Sequence, residues 1–193
     1  AGASDPISGA VTVLETARTL AKLKSDGWKP RRTIKIALWD GEEFGLLGST
    51  EWAEKHADEL ERKAVMYLNS DMNGRGTLNA GGSPVLQQFF SEVIRDVKQP
   101  GKEVSILEAR PIRDNKPEPF KLGAVGAGSD FVVFLHHLCI PSINTGFTGE
   151  SEGGIYHSAY DSFDWYTRFG DPDFVHGRAL SQVTSTALLR MSE

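Results

Sequence analysis

Ala10, Val13, Leu14, Ala17, Leu20 and Ala21 recur at three- and four-residue steps, the mark of one face of a helix. Ser4, Asp5 and Ser8 precede that run with side chains suited to capping, and Gly27 and Pro30 close it. The period then changes. Ile34, Ile36 and Leu38 alternate within Arg32 to Asp40, which predicts a strand. A second helix is predicted from Leu46 to about Leu60. Lys63 to Asp71, KAVMYLNSD, is apolar through its centre, as a strand covered on both faces would be. A helix begins at Pro84, where proline lacks only a donor that would be orphaned anyway.

Residues 100–128 carry prolines and glycines throughout and are the least regular part. SDFVVFLHHL predicts a short helix starting near Ser129 or Asp130. CIPSINTGF, from Cys139, is a third strand candidate, and Thr148 to Ser162 a glycine-rich loop. The last helix runs from Asp171 to Arg190. Helices alternating with strands in this order imply an α/β sandwich around a mostly parallel sheet.

Composition narrows the picture. A chain of 193 residues favours one domain. A formal net charge of −5 argues against nucleic acid as a partner, which would call for a basic patch or stripe. No apolar run reaches the ~18 residues of a membrane span. Cys139 is the one cysteine; it excludes an intrachain disulfide, and its apolar setting predicts a buried structural thiol. A single cysteine leaves the compartment open. The first residues, AGASDPISG, have no basic start and no apolar core of a signal peptide, and they read like the middle of a loop.

In an open parallel sheet, ligands sit beyond the carboxyl ends of the strands. The loops at those ends carry Glu42 and Glu43, Asp71, and His157, with Asp5 in the loop that enters the first helix. Each has an ordinary reading taken singly. Asp5 could cap a helix, Glu42 and Glu43 could favour a helix N-terminus, and Asp71 and His157 could be plain loop residues. Together they are a zinc-type donor set. Acids packed without a cation would raise one another's pKa, and a divalent metal removes that cost. A neighbouring carboxylate that is not a ligand can then serve as general base.

Four segments carry a resemblance: DPISG (Asp5–Gly9), RRTIKIALWDGEEFGLLGSTEWAE (Arg31–Glu54), YLNSDMN (Tyr67–Asn73) and YHSAYDSFDW (Tyr156–Trp165). In order and across nearly the whole chain, they resemble the glutamate carboxypeptidase II family of zinc peptidases, which also contains the transferrin receptor. The resemblance implies a three-layer α/β/α aminopeptidase-like domain, truncated at its N-terminus, with two zinc ions in the intact site. It implies Asp5 as the carboxylate bridging both zincs, Glu43 and His157 as further ligands of one, and Asp71 as a ligand of the other. Glu42 resembles the general base and Tyr156 the tyrosine that holds substrate near the reacting carbonyl. Gly128 and Ser129, within GAGSDF, resemble backbone lining the substrate pocket.

The expected activity is hydrolysis of a peptide or dipeptide by an exopeptidase, carboxypeptidase or dipeptidase. Three departures shape it. A histidine on an upstream H-x-D-like segment completes the second zinc site in the family, and this sequence opens after that point, so one zinc or none is expected, and little activity from these residues alone. Asn144 and Gly146 stand where acid-dipeptide-specific members carry arginines, so no strong acidic preference is expected. The family's protease-associated domain and helical dimerisation domain are not within residues 1–193; homodimerisation and a secreted, periplasmic or membrane-anchored setting are expectations for a full-length parent. The rival is a non-catalytic, transferrin-receptor-like binding module. It would have little reason to keep Asp5, Glu42, Glu43, Asp71 and His157 together.

Overall fold

The computed structural model describes residues 1–113, 115–150 and 155–193. Two parts of the expected loops, residue 114 and residues 151–154, lie outside the described residues. Helix α1 spans Ile7–Ser25, α2 Leu47–Lys55 and α3 Ala57–Lys63. Strand β1 (Tyr67–Asn69) is followed by β2 (Gly76–Gly82). A 3₁₀ turn at Pro84–Leu86 leads into α4 (Gln87–Arg95), confirming the proline-initiated helix. A small hairpin pairs β3 (Ile112–Arg113) with β4 (Lys116–Pro117). After a π-helical turn at Val133–His137 comes β5 (Ser142–Gly149), then the short α5 (Phe163–Trp165) and α6 (Val175–Ser192).

The main sheet has the order β1-β5-β2. β1 and β5 are parallel, with Tyr67 opposite Ser142 and Asn69 opposite Asn144. β2 runs antiparallel to β5 from Gly76–Gly149 to Gly82–Ile143, so the sheet is mixed. The sequence analysis did not anticipate β2. Its segment GTLNAGG hides a buried–exposed alternation behind glycines and an asparagine.

Helices cover both faces. Met66 and Leu68 pack against a core made by β2, β5, α4 and α6, with Phe90, Ile143, Phe147 and Leu180 at its centre. Tyr67, between them, points the other way, into a cluster of Ala53, Leu60, Val133 and Phe134. This is the two-sided burial that the apolar run KAVMYLNSD predicts, although the hydrogen-bonded strand is only its middle. Trp39 and Trp52 join that second cluster as partly buried core residues.

Several expectations fail for identifiable reasons. Residues 33–39 form no strand, and Ile36 and Leu38 are exposed. Alternation can dictate an extended chain, but a strand exists only through pairing, and this segment has no β-partner among the described residues. The helix expected from Leu46 to Leu60 breaks at His56 into α2 and α3. On α1 the buried face is Ser8, Thr12, Thr16 and Leu20, while Val11 and Leu14 are exposed. Small hydroxyl residues let α1 approach α6 closely: Thr16 Oγ1 lies 2.6 Å from Thr184 Oγ1 and 3.2 Å from Ser181 Oγ. No side chain caps α1, so the capping role expected of Ser4, Asp5 and Ser8 is not theirs. Cys139 is exposed, not buried, because it occupies a left-handed turn (φ 54°) between the π-helical turn and β5. His136 and His137 are both exposed.

Candidate metal centre

Asp5 sits just before α1, in a loop held by hydrogen bonds from both ends. Ser8 Oγ donates to the Ser4 carbonyl at 2.5 Å and accepts from the Asn73 amide at 2.8 Å. One hydroxyl thereby ties the Asp5 loop to the segment after β1. In the first turn of α1, Gly9 abuts that same segment. A Cβ at Gly9 would overlap the carbonyl oxygens of Ser70 and Asp71, so only glycine permits the approach.

Glu42 and Glu43 occupy a tight turn ahead of α2. The Glu42 carbonyl accepts from the amides of Gly45 (2.9 Å) and Leu46 (2.8 Å), and Leu46 takes a left-handed conformation (φ 60°). His157 is also left-handed (φ 54°), an uncommon state for a non-glycine residue and one that marks functional turns. Its turn is fixed by Ser158, whose amide and hydroxyl both donate to the Ile155 carbonyl at 3.1 and 2.7 Å.

These loops bring three predicted ligands together. His157 Nε2 lies 3.3 Å from Asp5 Oδ2 and 3.2 Å from Glu43 Oε1. One ligand atom from each of Asp5, Glu43 and His157 falls within 4.8 Å of the others. They line a cleft of about 460 Å³ that also includes Gly2, Ser158 and Asp161. A second cleft, of about 280 Å³ between β2 and Phe120, contains no histidine, cysteine or carboxylate and shares no residue with the first.

Asp71 is oriented from the opposite side. Its Oδ2 accepts from Asn69 Nδ2 at 3.1 Å, and the same amide group reaches Ser129 Oγ at 2.9 Å and Asn144 Oδ1 at 3.1 Å. Tyr67 donates to Asn69 Oδ1 at 2.8 Å and accepts from Trp39 Nε1 at 3.0 Å. The Asp71 carboxylate therefore stands at the end of a chain of hydrogen bonds rooted in the core. Ser129 is buried with its hydroxyl committed to this network, while Gly128 beside it is exposed (φ 114°).

The electrostatics follow from crowding. Burial raises the pKa of Asp5, and Glu43 and Asp71 add to the rise, while His157 opposes it. Glu42 is raised by burial and by Asp130, Asp71, Glu43 and Asp5. Asp71 is raised by burial, against hydrogen bonds from Ser129 and Asn69 that lower it. Tyr156 is pushed up by partial removal from water and by Asp5, Glu43, Glu42 and Asp71, and its ring stacks on His157 at 3.7 Å.

Three residues in this arrangement were not assigned from the sequence. Asn69 orients Asp71. Asp161 accepts the Ser4 and Asp5 amides at 2.7 and 2.9 Å. Asp130 is buried, accepts from Ser49 Oγ at 2.5 Å, and has its pKa raised by burial and Asp71. Asn69 and Asp161 stand inside the motifs YLNSD and YHSAYDS, so their proximity to Asp71 and His157 in the chain was a usable signal. Asp130 stands inside GAGSDF, but its partner Ser49 is distant in sequence, so the contact itself was not legible.

Comparison with known proteins gives this arrangement a context. The model of Peptidase family M28 matches residues 1–169. The chain is 37% identical over 196 residues to a probable glutamate carboxypeptidase of Zea mays, covering 99% of this chain and 26% of that one. It is 36% identical over 207 residues to the aminopeptidase NAALADL1 of Mus musculus, covering 100% of this chain and 28% of that one. The chain thus spans about a quarter of the length of these curated relatives. A zinc aminopeptidase structure from Bacillus subtilis superposes with a TM-score of 0.70 at 19% identity, over 99% of this chain and 42% of that one. At that identity the likeness establishes the fold, an aminopeptidase-type α/β architecture.

Proposed function

The chain belongs to peptidase family M28, and from that premise we propose that it carries the metal-binding and proton-transferring part of a zinc exopeptidase site. The convergence of Asp5, Glu43 and His157 on one point carries this reading. Two carboxylates and an imidazole fit zinc, and a divalent cation would relieve the mutual repulsion that raises Asp5 and Asp71. Asp5, Glu43 and His157 form a three-ligand set. Asp71 with Asp5 offers two ligands toward a second ion, so one zinc is bound well.

When bound, the metal acts as a Lewis acid toward the scissile carbonyl and allows water to be deprotonated near neutral pH. Glu42 then has the work of the general base: a carboxylate oxygen takes the proton of the attacking water and delivers it to the leaving nitrogen. The rise in its pKa moves it toward that task. Tyr156, kept protonated by partial removal from water and by its acidic neighbours, donates a hydrogen bond from its hydroxyl toward the oxygen that gains charge. Gly128 and Ser129 line the approach with backbone. Five retained acidic and imidazole groups favour catalysis over a binding-only module.

The geometry also favours a substrate with a free amine over one held by a carboxylate. Among the described residues, the charged groups that shift Asp5, Glu42, Asp71 and Tyr156 are carboxylates and the His157 imidazole. Asn144 Oδ1 accepts from Asn69, and a side chain at Gly146 would overlap the Met72 carbonyl. A terminal carboxylate would find no lysine or arginine in the lining of this cleft among the described residues.

Zinc titration by calorimetry tests the site. One tight site, lost in His157→Ala, is expected; two tight sites or none would refute the proposed stoichiometry. In a full-length parent, kcat/KM for an amino-acid anilide should exceed that for an N-acetylated dipeptide, and the reverse order would refute the amine reading.

A further inference from the structure

We propose that Asp161 is the positioning residue that sets Asp5 in the metal site and couples it to His157. This rests on the reading of Asp5 and His157 as ligands. The Asp161 side chain is over nine-tenths buried, and both of its oxygens are in use: Oδ1 accepts from the Ser4 amide at 2.7 Å and Oδ2 from the Asp5 amide at 2.9 Å. Its carbonyl accepts from the Ala3 amide at 3.1 Å. Three consecutive amides ahead of α1 therefore end on one residue.

That residue is also the end of the turn that presents His157. The Asp161 amide donates to the Ser158 carbonyl at 3.3 Å, and Ser158 is itself locked to Ile155. Asp5 and His157 are 152 positions apart in sequence, yet the loops that carry them meet at this single residue, one on its carboxylate and the other on its amide. Fixing two successive amides fixes the torsions that aim the Asp5 side chain. A neutral amide at position 161 could accept at only one atom and would turn its NH₂ toward the other donor. Outer partners of this kind typically contribute ~10–100-fold in metal affinity.

Asp161→Asn, Gly2→Ala and Asp171→Asn are compared with the native chain by zinc calorimetry, by the visible spectrum of the cobalt-substituted site, and by thermal melting without metal. Gly2→Ala disturbs the same carboxylate without changing its chemistry, because a Cβ at this cleft-lining position would overlap it. Asp171→Asn destabilises α6 away from the metal ligands and reports what loss of stability alone does. Asp161→Asn and Gly2→Ala should weaken zinc about tenfold or more and change the cobalt spectrum, with Asp171→Asn binding zinc as the native chain does. Native zinc affinity in Asp161→Asn would overturn the inference. So would an equal loss of zinc affinity in Asp171→Asn at a matched change in Tm. If Asp161→Asn does not fold, Gly2→Ala decides, and native affinity there overturns it. A native chain that binds no zinc would instead refute the ligand reading, and the inference with it.

Discussion

The amide of Gly9 donates to the carbonyl of Asp71 at 2.8 Å. The first amides of a helix have no partner within it, and here one of them pins the loop that carries the Asp71 carboxylate. Gly9 stands four residues after Asp5, so the start of α1 holds both acids in a fixed relation.

Gly9→Ala should therefore be costly although alanine is the better helix former. The new methyl group would meet backbone carbonyls, which cannot rotate away. A loss of about 1–3 kcal/mol is expected from overpacking, read from urea unfolding, together with weaker zinc binding. An unchanged midpoint would contradict the close-packing argument.

Glu42→Gln should separate metal from chemistry. Glu43, not Glu42, faces Asp5 and His157, so zinc content should stay at the native level. In a full-length parent, turnover should fall by ~10²–10⁴-fold, the usual contribution of a general base. Loss of zinc in this variant would reverse the roles of the two glutamates.

The pH dependence of zinc stabilisation has a definite sign. Asp5, Glu42, Asp71 and Asp130 all have raised pKa values. For each, the metal-free fold loses stability as pH rises from the ordinary carboxyl value through the raised one. Zinc binding needs the ionised ligands, so its stabilising effect grows over the same window. The Tm gain from saturating zinc should be larger at about pH 7 than at about pH 5. Equal gains would mean that the acids are not coupled to the metal.

Asp171 works in the opposite direction. Burial would raise its pKa, but hydrogen bonds from the His176 ring, the Gly177 amide and the His176 amide outweigh that and lower it. The Gly177 amide lies 2.8 Å from Oδ2. A lowered carboxylate contributes stability above its unfolded pKa and loses it as pH falls through the folded one. Asp171→Asn should cost roughly 1–3 kcal/mol near neutral pH, and the difference from the native chain should shrink on acidification. A gap independent of pH would rule out the charge as its origin.

What the sequence determined by itself was local and chemical. The motifs around Asp5, Glu42, Glu43, Asp71 and His157 singled out the acids and the imidazole, because turn and strand-end chemistry is written in neighbouring residues. The long helices and the two-faced burial of KAVMYLNSD were legible for the same reason. Tertiary structure decided the rest. Residues 33–39 have the alternation of a strand and β2 does not, yet β2 is the one that pairs, since a ladder depends on a partner that local pattern cannot name. Much of the apolar stripe of α1 is left partly or fully exposed while its hydroxyl face packs on α6, because close helix approach rewards small side chains. Asp161 and Asp130 met their partners Asp5 and Ser49 only when distant segments closed around the cleft.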